Sequence, residues 1–399
     1  MKKKLSAALI ASLLIISSVL TPVCAVDAVQ KSTDTGKITW ETLEERVRAG
    51  SLSAQALEEN IGSIETIDYT YLYNTMQKQL NELSAAQSFL LESGDREKLN
   101  SLNSTMASLR NTYEDIRDGK LQRDSKDAAN QLRDMQNRVV IGAQSLYINI
   151  LSLEQSLRDG ERGLEALERT LTELRLRHTL GQVSAIKVAE LERARDDTQC
   201  QLDTLKTTIS SLKAQLQLLI GEAPTGEAEL SPLPEINKNS VSESEHEANL
   251  IIAKEKSVAI SSSKIALEKA EEEVSDKNSD YLSGSIKRYE LTIAEHSKAS
   301  AELSYRSEIQ NFEYAFNELS RTLENSRQVL ENKKAASVYQ QKLLEISEKQ
   351  YALGRISYFA LLSARDNAES AVSAVSAAER DLFTAYNNYS NAVKYGITD

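Results

Sequence analysis

Leu202, Leu205, Ile209, Leu212, Leu216 and Leu219 follow one another at intervals of 3, 4, 3, 4 and 3 residues. A repeat averaging 3.5 residues keeps its apolar members on one face only when the segment is helical. It then drives that helix to pack against a second one along its length. The same register precedes this stretch through Leu153, Leu157, Leu164, Leu167, Leu171 and Leu174. It returns near the C-terminus through Val372, Val375, Leu382, Tyr386, Tyr389 and Val393, approached by Phe312, Phe316, Leu319 and Leu323. A chain of 399 residues with only 14 Gly and 4 Pro has too few turn-formers for a sheet protein of that size. The expected fold is all-α, built from long antiparallel coiled-coil hairpins.

Two five-residue segments interrupt the heptads at corresponding places, Leu180-Gly181-Gln182-Val183-Ser184 and Leu353-Gly354-Arg355-Ile356-Ser357. Both read L-G-x-[V/I]-S. A glycine can close a helix at positive φ without Cβ strain, and a serine three residues on can cap the next helix. Each segment is therefore predicted to be a tight turn at the end of a hairpin. Each returning stretch ends at another glycine, Gly221 or Gly396, 40 and 42 residues later. Pro224, Pro232 and Pro234 fall together with Gly226 in a polar stretch, which predicts a linker over 222–244 between two tandem repeats, 26–221 and 245–399.

The N-terminus reads differently. Lys2, Lys3 and Lys4 precede an apolar run from Leu5 to Leu20, and Val23 and Ala25 occupy the small-residue positions of a signal-peptidase site after Ala25. Residues 1–25 are expected to be a signal peptide, with an uncleaved anchor as the alternative. Cleavage leaves 44 Lys and Arg against 59 Asp and Glu. Such an acid excess, with bases scattered among acids, excludes a generic nucleic-acid binder.

Elsewhere, Ile38 to Leu43 is expected to open a short helix with Thr39 as its cap. Residues 63–118 read as helix interrupted near Gly94, and 248–275 as helix loosening toward Gly284. Chemistry is harder to find. His178, His246 and His296 share no metal-ligand spacing, and no nucleophile elbow, P-loop or dinucleotide fingerprint occurs. Cys200 reads as a small packed residue, and no catalytic role or cofactor is expected.

The order of these features resembles the TolC-like outer-membrane efflux family. Ile38-Thr39-Trp40-Glu41-Thr42-Leu43 is similar to its N-terminal helix motif. Leu176 to Pro224 is similar to its first long-helix turn and return, ending at Leu219-Ile220-Gly221, and Phe312 to Gly396 to its second. The resemblance implies a homotrimer whose hairpins form a hollow α-helical barrel. It also implies tips that meet an adaptor (membrane-fusion) protein linked to an ABC or proton-driven transporter. Leu180, Gly181, Val183, Ser184, Leu353, Gly354, Arg355, Ile356 and Ser357 would then be the docking residues, with Val183 and Ile356 exposed at the ends. Two departures stand out. The family's acid six residues after the tip glycine is replaced by Lys187 and Ala360, so no carboxylate gate is implied. No stretch alternates for the roughly 9–11 residues a membrane strand needs; Ile67 to Tyr73 is too short, and Tyr281 to Ile293 does not alternate. A barrel-less, all-helical variant in the cell envelope is expected. The competing expectation is a non-conducting coiled-coil structural protein of the envelope.

Overall fold

A computed structural model describes residues 37–93, 95–236 and 243–398; the expected signal peptide lies outside them. Ten helices are found among the described residues. In chain order they are α1 (Trp40–Gly50), α2 (Leu52–Glu65), α3 (Tyr69–Ser93), α4 (Arg96–Arg117) and α5 (Lys120–Thr179). They continue with α6 (Ala185–Leu219), α7 (Glu243–Lys256), α8 (Val258–Leu282), α9 (Arg288–Ala352) and α10 (Tyr358–Tyr395). No named strand occurs among the described residues, only a bridge between Ile38 and Leu230.

The heptads become two long hairpins, α5–α6 and α9–α10. At 1.5 Å per residue α5 is about 90 Å long and α9 about 97 Å. Leu202, Ile209 and Leu216 are buried against α5, and Leu202 sits so close that a Cβ at Gly160 would lie 2.6 Å from its Cδ2. Phe312, Phe316 and Leu323 meet Tyr389 and Ala392 in the second hairpin. Val372 departs from the expected register: it is 47% exposed, and Ser373 beside it is buried instead.

The helix expected over 248–275 is divided into α7 and α8, whereas the interruption expected near Gly94 falls between α3 and α4. The expected helix over 63–118 is α3 and α4, preceded by the end of α2, and Asp95 caps α4 by accepting from the Lys98 amide at 3.3 Å. Their facing residues keep a heptad of their own, Leu99, Leu102, Met106, Leu109, Tyr113 and Ile116 on α4. Tyr73 and Tyr113 stack with centroids 4.8 Å apart. Ile67 to Tyr73, read as too short for a membrane strand, runs into the start of α3. Thr39 stands at the N-cap of α1, but its hydroxyl pairs with Thr42 Oγ1 and leaves the helix amides alone.

The two hairpins are braced by matching joints. Ser51 caps α2 from a buried position, accepting from the Ala54 amide, and Ser257 caps α8 likewise from Ile260. Gly221 closes against Gly50 beside the first of these serines, and Gly396 closes against Ser257 at the second. The stretch from Glu222 to Ile236, expected as a linker, is docked in part on the first hairpin. The Ile38 amide donates to the Glu229 carbonyl at 2.8 Å, and the Ser231 amide to the Ile38 carbonyl at 2.9 Å.

Beneath them Tyr147, fully buried, points its hydroxyl at the carbonyls of Ser231 (2.7 Å) and Ile38 (3.1 Å). Trp40 packs edge-on to Tyr147 at 5.6 Å and to Phe383 at 4.8 Å, tying both hairpins to this joint. Removing the hydroxyl in Tyr147→Phe is expected to cost about 1–2 kcal/mol in urea denaturation, because two buried carbonyls lose their donor. Burial pushes this hydroxyl up to about 12, whereas an unfolded tyrosine ionises near 10. The unfolded chain therefore releases its proton first. The stability Tyr147 confers is complete below about pH 10 and is lost as pH rises through about 12. The gap between wild type and Tyr147→Phe should narrow over that interval.

Candidate docking site at the hairpin ends

At the end of α5 the last carbonyls are satisfied by a Schellman turn, in which the Gly181 amide donates to the His178 carbonyl and Gln182 to Arg177, both at 2.9 Å. The α9 turn repeats this with Gly354 to Tyr351 and Arg355 to Gln350, both at 2.8 Å. The glycines hold φ of 71° and 72°. Ser184 then accepts from the Lys187 amide and Ser357 from the Ala360 amide, capping α6 and α10 as their sequence positions suggested. His178 fastens the first turn through its Nδ1, 2.9 Å from the Val183 carbonyl. Tyr351, at the matching place, packs on Tyr358 at 5.9 Å.

The apolar surface at the ends differs from expectation. Val183 and Ile356 are half-buried. The exposed side chains are those just before the glycines, Leu180 at 64% and Leu353 at 67%. Ile186 and Phe359, each five residues past the glycine, are exposed as well. A Cβ on Gly181 or Gly354 would meet no atom within 4 Å, so both glycines open onto free space.

Both ends lie level. Arg169 on α5, twelve residues before Gly181, pairs at 2.6 Å with Asp366 on α10, twelve residues after Gly354. One ion pair also recurs across both hairpins with its sign reversed. Arg175 to Glu192 joins positions six before and eleven after Gly181, and Glu348 to Arg365 joins the same positions around Gly354.

No protein-family model matches the sequence, and no curated protein sequence matches it. Solved structures do. The Neisseria gonorrhoeae MtrE outer membrane channel, in its open state, superposes with a TM-score of 0.55 over 93% of this chain and 94% of its own, at 14% identity. The outer membrane protein VceC of Vibrio cholerae gives 0.53 over 89% and 95%, at 12% identity. The Campylobacter jejuni CmeC outer membrane channel gives 0.53 over 72% and 68%, at 14% identity. The fold is that of the TolC-type outer-membrane channels. At such identities the likeness is one of fold.

Within this TolC-type fold the interface between the hairpins is polar, in contrast to the leucine seams inside them. Gln144 on α5 accepts from Asn387 at 3.1 Å and Asn391 at 3.0 Å on α10, all three buried. Nearer the ends, Asp159 is held by Ser373, Arg162 and Gln155. Burial pushes its carboxyl up, but those hydrogen bonds outweigh it and keep it below the ordinary carboxylate value. Arg162 also reaches Glu369 at 3.3 Å. These residues read as surface polar groups in the sequence, and nothing in their spacing marks them.

The helix expected to loosen toward Gly284 ends there in a third turn of the same build. Between α8 and α9 the Gly284 amide donates to the Tyr281 carbonyl and Ser285 to Asp280, with φ of 76° at Gly284 and open space around it. It stands at the opposite end of α9 from Gly354. Its sequence, Ser283-Gly284-Ser285-Ile286-Lys287, keeps the G-x-[V/I] core but lacks the leucine and serine that define the other two. Cys200 proves exposed on α6, off the heptad seam. Among the described residues no cluster of His, Cys, Asp or Glu could hold a metal ion.

Proposed function

We propose that this protein is the oligomeric helical conduit of an efflux or export system in the cell envelope. Two tandem repeats, 26–221 and 245–399, each contribute one hairpin to a homotrimer, and the hairpins stand side by side around a water-filled interior. The ends at Leu180, Gly181, Val183, Ser184, Leu353, Gly354, Arg355, Ile356 and Ser357 dock an adaptor protein, which couples the tube to an ABC or proton-driven transporter. The observation that carries this reading is the level pair of hairpin ends on a TolC-type fold. They end in open glycines and exposed leucines instead of folding back into a core. The fold's kinship with outer membrane channels supports the envelope location. No described helix is long and apolar enough to cross a membrane.

The competing reading, a non-conducting spacer, would use the same hairpins in a filled bundle. Light scattering and end-on electron microscopy of the purified full chain separate the two. A trimer mass with a stain-filled centre is expected, and a monomer or a solid bundle would exclude the conduit.

A further inference from the structure

The chain carries 47 Lys and Arg against 59 Asp and Glu, yet its two level hairpin ends reverse that balance. Residues 174–189 contain Arg175, Arg177 and Lys187 and no acid, and residues 349–365 contain Lys349, Arg355 and Arg365 and no acid. The carboxylates that pair with the first three, Glu173, Glu192 and Glu190, stand farther back along the helices. Lys349 and Arg355 make no ion pair among the described residues. The turn at the far end of α9 is different, with Asp276, Asp280 and Glu290 among Lys277, Lys287 and Arg288. Acid-free basic stretches thus mark the two level ends and not the third turn, although Arg365 is paired with Glu348 just outside its stretch.

We propose that the surface received by the tips is acidic: the hairpin end of a partner protein whose carboxylates surround an apolar centre. This rests on the docking reading above and specifies the partner's chemistry. Leu180 and Leu353 supply the apolar contact, and the open glycines leave bare backbone that partner side chains can approach closely. The cations form a rim around them. Rim charges steer encounter and select partners more than they hold them, so association should weaken with salt. A basic rim also disfavours tip-to-tip pairing of two copies of this chain. Exposed leucines beside bare backbone favour a protein over anionic lipid headgroups, which would use the charge alone.

The test uses the full chain in the intact envelope with Gln182→Cys in a Cys200→Ser background, read as cross-linked product. Capture of one protein is expected. Reversing charge in Lys187→Glu/Lys349→Glu/Arg355→Glu should lower its yield about tenfold or more, and lysines placed at the captured protein's acids should restore it. Capture that survives the triple reversal unchanged would overturn the acidic partner while leaving docking in place. If the unreversed chain captures nothing, the docking reading itself fails. Should it instead float with phosphatidylglycerol vesicles and not with phosphatidylcholine ones, the charge serves a lipid surface, and the proposed protein partner is wrong. Circular dichroism melting of the triple variant, all of whose altered side chains are exposed, checks that the hairpins persist.

Discussion

Gly396→Ala is expected to lower stability by about 3 kcal/mol or more, whereas Gly354→Ala should cost only about 1 kcal/mol. Both glycines have left-handed backbone, with φ of 71° and 72°, so the conformational penalty is shared. The surroundings are not. A Cβ at Gly396 would lie 2.5 Å from the Lys256 carbonyl carbon and 2.7 Å from the Ser257 Cα. Backbone atoms of a capped helix start cannot move aside as a flexible side chain could. The end of α10 must then lift away from the α7–α8 joint, loosening the Ser257 cap and the contacts behind it. At Gly354 the added methyl group points into open space. Urea denaturation at one fixed protein concentration should show the difference as a lower midpoint with an unchanged slope. Equal losses at the two sites would mean that the helix end and the joint do not abut.

Gly354→Trp should leave the fold in place and remove partner docking. The left-handed conformation costs it about 1–2 kcal/mol, which long hairpins with buried Phe316, Leu323 and Tyr389 can absorb. The indole, however, fills the space that a partner's side chain would enter, at the centre of the proposed interface. Losses at such central positions reach about thirtyfold or more. Cross-linking from Gln182→Cys, or export by intact cells, should therefore fall to background while the melting temperature shifts by a few degrees. Normal export in this variant would remove the α9–α10 tip from the docking face.

The sequence makes the hairpins visible because their seams repeat over many turns and each long loop-back needs a glycine at positive φ. Gly181 and Gly354 could be assigned to turns, and Ser184 and Ser357 to caps, from spacing alone. Other features depend on distant contacts. The chain breaks between α7 and α8 at Lys256-Ser257-Val258, with neither glycine nor proline, because Gly396 approaches from more than a hundred residues away. Gln144, Asn387 and Asn391 look like solvent-facing amides until the two hairpins bring them together. Gly284 could be read as a place where a helix loosens, but its likeness to the other two turns could not, because the backbone needs only the glycine and the flanking leucine and serine are dispensable for the bend. At the hairpin ends, the turn positions were legible, but which apolar side chains are exposed was not. That choice depends on how the chain reverses after the glycine, which leaves Val183 and Ile356 half-buried and Leu180 and Leu353 exposed.

The bridge between Ile38 and Leu230 has a consequence for biogenesis. A ribosome makes its first member nearly two hundred residues before its second. Until Glu229 and Ser231 appear, Tyr147 lacks its shorter hydrogen bond and the Ile38 amide lacks its acceptor. The nascent chain can zip α5 against α6 early, but its leading segment stays unlatched until both arms of that hairpin have been synthesised. Hydrogen exchange at the Ile38 amide in chains truncated before Glu229 should accordingly be fast, and in chains extending through Ile236 slow.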